Sequence, residues 1–488
     1  MYTILIRTIN YLSAAVLLLL PAGLSAQSIK YPDEIKTLFD EADRGSTTAD
    51  RGVPVIAVPQ TAEAEPGVAQ IRQAGAEAII VPSTTDGAVL REMAAAWDGA
   101  LMPDGWVQEG DAFSVLFYKA VADRNIPHTG KSELTQKIDE GMKHYSTTLR
   151  TPAELCSGAK IFRRARLLMD GILTIDGHAD LPVWYRKGYA VGQRRDNQVS
   201  IQKMEEGHLS SQILIAFVGQ KRPVADPFAK CDGIIDKIYA DIEKNKEHCG
   251  FARCEEDAVQ LKSEGKKAFF IGVENAYGLG DDVKNVRHFA KRGVVYITLS
   301  HLYDNAVCHS STHSADTTLG LTRFGRKVVK EMNRCGIMVD ASHTSSGTFW
   351  DCIKYSRAPI ICSHSGAKAV FDHDRSLTDD QLRALAAKDG LVMVYVVQQY
   401  MGTEDERVGL DHMMVHLQHC IEVAGIDHVG IACDLDGGAG GWGINGDNDM
   451  INITVRLLEA GYSDSDIEKI WSKNFFRVLK TVQSAATL

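Results

Sequence analysis

Histidines and acidic residues recur in the second two thirds of this chain, each near the polar end of a short apolar run. His178 and Asp180 close the run that begins at Leu173. Glu274 closes the run from Ala268, His301 that from Val294, His343 that from Ile337 and His364 that from Pro359, while Asp434 lies near the end of the run from Val429. In extended backbone, residues i and i+2 point to the same side, so His178 and Asp180 can reach one cation from one strand end. Glu274 has two carboxylate oxygens and can bridge two cations. His343 and His364 end consecutive runs, and adjacent strands lie about 5 Å apart, so their imidazoles can share an ion. Any one of these residues alone is more often a satisfied core residue, a surface residue or a helix cap. Together, His178, Asp180, Glu274, His343 and His364 form a candidate two-metal site of nitrogen and oxygen donors, a ligand set that suits zinc. Two zincs about 3.5–4 Å apart activate a bridging water and polarise a carbonyl.

Something must bring those strand ends together. Eight apolar runs recur, at Leu173–Asp180, Ser211–Gly219, Ala268–Asn275, Val294–His301, Ile337–His343, Pro359–His364, Leu391–Val397 and Val429–Asp436. Amphipathic stretches separate most of them, among them Gly325 to Arg334 and Asp379 to Lys388. The second of these opens on Thr378, a helix-capping residue, and places Leu382, Leu385 and Ala386 on one face. Eight β/α repeats in about 260 residues fit a TIM barrel, whose chemistry comes from the C-terminal ends of several strands. Six of the eight runs carry His, Asp or Glu at that end; only the second and seventh do not. Scattered structural histidines have no reason to favour one end, so the placement argues for a (β/α)8 barrel over an open doubly wound sheet. The predicted class is α/β, a (β/α)8 TIM barrel over 165–485 preceded by a small α/β accessory domain.

The 488 residues allow two or three domains, and 45% hydrophobic with 24% charged content is ordinary for globular protein. A net charge of −10 lacks the basic footprint that nucleic acid requires, so that partner is excluded. Residues 1–26 have the pattern of a signal peptide: Arg7 supplies positive charge, an apolar stretch runs from Leu12 to Leu20, Pro21 breaks it, and small residues lead to Ser25 and Ala26. Leu24 is large for the position it takes in the cleavage pattern, which leaves an uncleaved anchor as the rival reading. No second apolar run is long enough to span a bilayer. A secreted or periplasmic protein is expected, with no stable membrane span in the mature chain. The ten cysteines all lie between Cys156 and Cys433 without a CxxC pair. Export permits disulfides, and Cys249 with Cys254 is the closest spacing, but buried free thiols fit equally well.

The stretches Asp176-Gly-His-Ala-Asp180, Gly272-Val-Glu-Asn275, Leu299-Ser-His-Leu-Tyr-Asp-Asn305, Gly320-Leu-Thr-Arg-Phe-Gly325, Met332-Asn333, Val339-Asp-Ala-Ser-His343, Ser363-His-Ser365 and Asp434-Leu-Asp-Gly437 resemble, in order and spacing, the membrane (renal) dipeptidase family of zinc peptidases. The resemblance covers about 300 residues and implies two Zn2+ per subunit. It implies that His178 and Asp180 bind one zinc, His343 and His364 the other, and that Glu274 bridges them. It further implies that His301 stabilises the tetrahedral oxyanion and that Asp434 orients the attacking water and shuttles its proton to the leaving amine. Arg375, in His373-Asp-Arg-Ser376, would hold the C-terminal carboxylate of a dipeptide substrate; a surface ion pair is the plainer alternative. Asn305 is either structural or a support for the site. Many family members tolerate a D-residue at the C-terminal position, some open β-lactams, and a homodimer is the family tendency. Mammalian members carry a lipid anchor; the end Ala485-Ala-Thr-Leu488 has no apolar tail of that kind.

Residues 27–50 read as a linker. Residues 51–150 read as an extra α/β unit, with strands at Val53–Val58, Ala78–Val81 and Asp98–Gly105, helices at Val68–Ala76 and Asp111–Asp123, and a small parallel sheet. Pro54-Val-Ile-Ala-Val58, the Gly75-to-Pro82 strand, Trp97-Asp-Gly-Ala-Leu-Met-Pro-Asp-Gly105 and Arg124-Asn-Ile-Pro127 give it a faint resemblance to a class I glutamine-amidotransferase or γ-glutamyl hydrolase fold. That family's nucleophilic cysteine is replaced by His128-Thr-Gly-Lys131, so the unit is expected to be a non-catalytic accessory domain. Two rivals to a dizinc dipeptidase remain. One is an amidohydrolase acting on another small amide or lactam, usually marked by a carboxylated lysine where this chain has Glu274. The other is an inert scaffold, against which every metal-ligand position is filled.

Overall fold

The computed structural model describes residues 164–403, 408–441 and 443–487, together with residue 161 and four short strands nearer the N-terminus. Two compact units emerge, one of residues 1–170 with 206–208 and 451–460, the other of 171–205, 209–450 and 461–488. In the first, Val55–Ala57 and Ala78–Ile80 pair in parallel, as the apolar runs there predict. Leu5–Arg7 joins antiparallel to Val55–Ala57 and to Val16–Leu18, so the sheet is mixed rather than purely parallel. The expected leader thus contributes two of its four strands. The expected strand at 98–105, the two expected helices and the His128–Lys131 segment lie outside the described residues.

The second unit is a barrel. Its strands are β1 (Ile175–Ala179), β2 (Ser211–Phe217), β3 (Lys267–Glu274), β4 (Val294–Thr298), β5 (Met338–Asp340), β6 (Ile360–Ala367), β7 (Leu391–Val394) and β8 (Val429–Ile431). Each overlaps one of the eight apolar runs; β3 begins one residue before its run, at Lys267, and β6 continues past His364 to Ala367. They are parallel and neighbour one another in sequence order. The ring closes just past β8, where Ala179 bridges Leu435 and the Asp180 N–H donates to the Leu435 carbonyl at 2.7 Å. Strands covered on both faces need near-continuous apolar sequence, and Val429-Gly-Ile, Leu391-Val-Met-Val and Val294-Val-Tyr-Ile-Thr supply it, every residue buried.

Two strands escaped the sequence reading. Cys249–Phe251 pairs with the start of β3, and Ser376–Leu377 extends the sheet beside the end of β6. Helices occupy the amphipathic stretches. Arg323–Cys335 is capped by Thr322, whose hydroxyl accepts from the Gly325 N–H. Asp379–Ala387 opens on a reciprocal cap in which the Thr378 hydroxyl accepts from the Gln381 N–H, while the Gln381 side chain accepts from the Thr378 N–H.

Strand beginnings pack at the end of the barrel away from the histidines. Ile175, Ile213, Met338 and Leu391 share a buried cluster with Phe475, Phe476, Leu479 and Val482 of the C-terminal helix Asn474–Ser484. That apolar plug leaves the opposite end free to carry polar chemistry. The nine cysteines among the described residues are unpaired, Cys249 and Cys254 included, and seven of them are buried. Among the described residues no helix is long and apolar enough to cross a membrane.

Candidate metal centre and active site

The barrel gathers the residues singled out by sequence. Ligand atoms of His178, Glu274 and His364 lie within 4.8 Å of one another, as do those of Glu274, His301 and His343, and those of His178, Asp180 and Asp434. Glu274 joins two of these groups, and its two oxygens face different partners. Oε2 lies 3.8 Å from His178 Nε2. Oε1 lies 3.2 Å from His343 Nε2, 3.6 Å from His364 Nε2 and 3.9 Å from His301 Nε2. His178 Nε2 is also 3.8 Å from Asp434 Oδ1 and 4.0 Å from Asp180 Oδ2.

The backbone turns sharply where these side chains emerge. Asn275, His343 and Asp434 have φ of 71°, 64° and 66°, a conformation rare for residues other than glycine and a marker of stored strain at functional positions. Gly437 shows a related constraint: a Cβ there would sit 2.3 Å from Asp180 Oδ2 and 2.5 Å from Asp434 Oδ1. Only glycine lets the loop after β8 pass so close to both carboxyls.

The electrostatics run against ordinary ionisation. Burial pushes the Glu274 carboxyl up to about 8, with Arg375 pulling it down and Asp340 adding to the rise. Burial lifts Asp434 to about 7, opposed by His178 and reinforced by Glu274. Burial and then the charge of Glu274 hold Asp180 well above the usual carboxylate range. Burial depresses His343 and His364 far below the ordinary imidazole value and takes His301 down to about 3, Arg375 contributing to each. Neutral imidazoles are the metal-binding form. Crowded carboxyls reluctant to ionise are what a bound cation would relieve.

Unsatisfied atoms test the fit to a metal. His178 Nε2, His364 Nε2 and Asp180 Oδ1 are buried without a hydrogen-bond partner. Buried polar atoms are seldom left so, and each of these belongs to a predicted ligand. The donor set, imidazole nitrogens with carboxylate oxygens, fits zinc.

Arg375 sits beside this cluster and is 2% exposed. One terminal nitrogen donates to the His364 carbonyl at 2.9 Å, while Nε has no partner. Its guanidinium lies 5.9 and 5.8 Å from the rings of Tyr395 and Tyr400. The surface ion pair considered from sequence is therefore not what forms: the cation is buried and lines a polar pocket with His343, Ser311, Thr344, Ser365 and Ser376. His301 is the more open imidazole, its side chain 25% exposed, and it rests against the edge of Phe217. Asn305 is structural. Its amide donates to the Asn275 side chain and the Leu299 carbonyl, and its oxygen accepts from the N–H groups of Val307 and Cys308.

Sequence reasoning missed the groups that hold these imidazoles. Tyr296 meets His178, and Ser363 with Asp340 meets His364. Asp176 accepts from the Cys433 N–H and from Gln212, joining β1 to the segment just past β8 and to β2. The available signal was a polar residue inside an otherwise apolar strand, as in Ile175-Asp176 and Val339-Asp340.

A (β/α)8 barrel that converges imidazoles and carboxyls at the C-terminal ends of its strands defines a metal-dependent hydrolase of the barrel type. Residues 162–488 match the membrane dipeptidase family, peptidase family M19, and the chain belongs to that family. It is accordingly an enzyme, a hydrolase of the metallopeptidase kind. It is 30% identical over 345 residues to dipeptidase verJ of Clonostachys rogersoniana, covering 66% of this chain and 87% of that one. Among solved structures, the probable dipeptidase PvdM of Pseudomonas aeruginosa shares the fold with a TM-score of 0.63 at 24% identity, over 67% of this chain and 99% of that one. A metallo peptidase of Rhodobacter sphaeroides, solved with a phosphinate mimic of the dipeptide L-Ala-D-Ala, gives 0.58 at 21% identity, over 64% and 99% of the two chains.

Proposed function

We propose that this enzyme hydrolyses the peptide bond of dipeptides at a two-zinc centre, C-terminal D-residues included. The observation that carries the reading is the division of Glu274, one oxygen toward His178 and the other toward His343 and His364. His178 and Asp180 would hold one ion and His343 and His364 the other, with Glu274 common to both. When bound, such a pair supplies Lewis acidity at the scissile carbonyl and lowers the pKa of water.

The remaining steps belong to the protein. Arg375 offers the carboxylate of the C-terminal residue a buried guanidinium that no carboxylate approaches among the described ion pairs, and a planar fork suits that group. The polar pocket beside it receives the C-terminal side chain. His301 is held neutral and so keeps a donor N–H for the carbonyl oxygen as negative charge develops there. Asp434 takes a proton from the attacking water and delivers it to the leaving nitrogen, so the products are a free amino acid at each side of the cleaved bond. Export to the periplasm or exterior stays part of the proposal on the leader pattern alone, as does assembly as a homodimer on family tendency.

The deciding experiment is hydrolysis of L-L and L-D dipeptides by the purified chain, before chelation, after it, and after zinc is restored. Cleavage that vanishes and returns with zinc supports the reading. Bound zinc without dipeptide cleavage transfers the proposal to another small amide or lactam, and failure to bind metal sinks both.

A further inference from the structure

Two of the proposed ligands are each gripped from behind at Nδ1. His178 Nδ1 lies 2.7 Å from the Tyr296 hydroxyl, which in turn lies 2.9 Å from the Gly177 carbonyl. A phenol has one proton, and a carbonyl only accepts. With that proton on the Gly177 carbonyl, the phenol oxygen is free to accept from Nδ1–H, and both bonds form. With the proton turned toward Nδ1, one bond is lost. Counting bonds therefore selects the Nδ1–H form of His178, which leaves the lone pair on Nε2, the buried atom without a partner.

His364 reaches the same state through a different relay. Its Nδ1 lies 2.8 Å from the Ser363 hydroxyl, and that hydroxyl lies 2.6 Å from Asp340 Oδ2. The Ser342 and Ser363 N–H groups donate to Asp340 Oδ1 at 3.0 and 2.8 Å, and the Thr298 hydroxyl donates to Oδ2. Four donors converge on one carboxyl group, an arrangement suited to an acceptor-only carboxylate. The Ser363 proton must point to Asp340, so the Ser363 oxygen accepts from His364 Nδ1–H. Again the bare nitrogen is Nε2, buried, without a partner and 3.6 Å from Glu274 Oε1.

We propose that Tyr296 and the Asp340–Ser363 pair are positioning residues that lock His178 and His364 in the Nδ1–H tautomer, so that both Nε2 lone pairs face the centre before any metal arrives. The inference rests on reading His178 and His364 as metal ligands. His343 has no such relay: its Nδ1 is buried without a partner. It serves as the internal comparison. Partners of this kind orient ligating imidazoles generally, and their loss weakens metal binding about ten- to a hundredfold.

The test begins with the metal-free full chain, its histidines labelled with 15N and the ring protons read by long-range proton–nitrogen correlation. His178 and His364 should each give the pattern of a single Nδ1–H tautomer. Tyr296→Phe should release His178, and Ser363→Ala should release His364. Zinc affinity, measured by competition with a chromophoric chelator, should fall about ten- to a hundredfold in each variant, and Ser363→Thr, which keeps the hydroxyl, should restore it. An Nε2–H signal for either histidine in the unsubstituted chain overturns the proposal. So do variants that leave tautomers and zinc affinity unchanged. If one variant does not fold, the unsubstituted spectrum and the other variant still decide. A chain that binds zinc but cleaves no dipeptide would defeat the substrate reading while leaving the tautomer result to stand by itself.

Discussion

Replacing Glu274 by Gln should make the protein more stable without metal and less stable with it. The carboxyl is 2% exposed, and burial holds its pKa near 8 against about 4.5 in an unfolded chain. Because the folded value is the higher one, the native state holds more protons than the unfolded state between those limits. The associated stability is complete below about pH 4.5 and is lost as pH rises through 8. One such proton corresponds to about 1.4 kcal/mol per pH unit inside that window. Asp434, raised to about 7, and Asp180, also raised, act in the same direction. The metal-free wild type should therefore melt lower at pH 8 than at pH 7. Glu274→Gln removes one of these ionising groups and should melt above the wild type at pH 8. Zinc reverses the order. At a hundredfold excess over Kd each site adds about 2.7 kcal/mol. Two sites together are worth on the order of 10 °C in a domain of this size. An amide cannot serve two cations, so the variant should lose at least one zinc and most of that gain. Calorimetry at pH 7 and 8, with chelator and with zinc, together with metal content, reads every term. A variant that keeps two zincs and shows the full zinc-dependent rise refutes the bridging role, and a metal-free wild type no less stable at pH 8 than at pH 7 refutes the electrostatics.

Three further outcomes are expected. His301→Ala should retain zinc while kcat falls about 10²–10³-fold, the usual loss for an oxyanion donor; loss of metal would make His301 a ligand instead. Arg375→Met should lower kcat/KM for dipeptides about 10–100-fold, the worth of a charge-assisted hydrogen bond, and should barely affect dipeptide amides; an equal loss on both removes the carboxylate-binding role. Gly272→Ala would place a Cβ 2.8 Å from the Tyr296 ring and 2.9 Å from Ile215. It should cost about 1–3 kcal/mol, seen as a lower melting temperature, and wild-type melting would contradict the packing.

What the sequence disclosed is the part that repeats. Eight apolar runs with helical stretches between them are local patterns, and each coincides with one barrel strand, to within a few residues at its ends, because continuous burial on both faces demands continuous apolar residues. The candidate site residues were legible for a related reason: polar side chains in or just past a buried strand stand out against it, as His364 within β6 and His343 just past β5 do. Two short strands were not legible, since Cys249–Phe251 and Ser376–Leu377 are too brief to show a period. Nor were the relays. Tyr296 in Val-Val-Tyr-Ile-Thr reads as another bulky strand residue, and only the pairing of distant segments places its hydroxyl on His178, 118 positions away. The left-handed turns at Asn275 and Asp434 carry no glycine to announce them, and the need for Gly437 follows only from the approach of Asp180. Of the first 150 residues, two of the expected strands are observed, and the amidotransferase-like reading gains nothing from them.

The two ends of the barrel divide stability from function. At one end Phe475, Phe476, Leu479 and Val482 fill the space between strand beginnings with apolar contacts that ask for no partner. At the other, each interaction is conditional. Asp180, Glu274 and Asp434 resist ionisation, His343 and His364 resist protonation, and, among the described residues, the only buried cation nearby, Arg375, has no carboxylate within ion-pair distance. Packing alone would favour apolar residues at such positions, because removing buried, poorly paired charges is commonly neutral or stabilising. Strained turns at His343 and Asp434 add to that cost. The plug at the far end and the hydrogen-bonded frame of Tyr296, Ser363 and Asp340 hold this polar cluster in place, so on the proposed reading its geometry exists before a cation binds. That is the arrangement expected of a preorganised site: the fold bears the desolvation beforehand, and binding free energy is not consumed in rearranging the ligands.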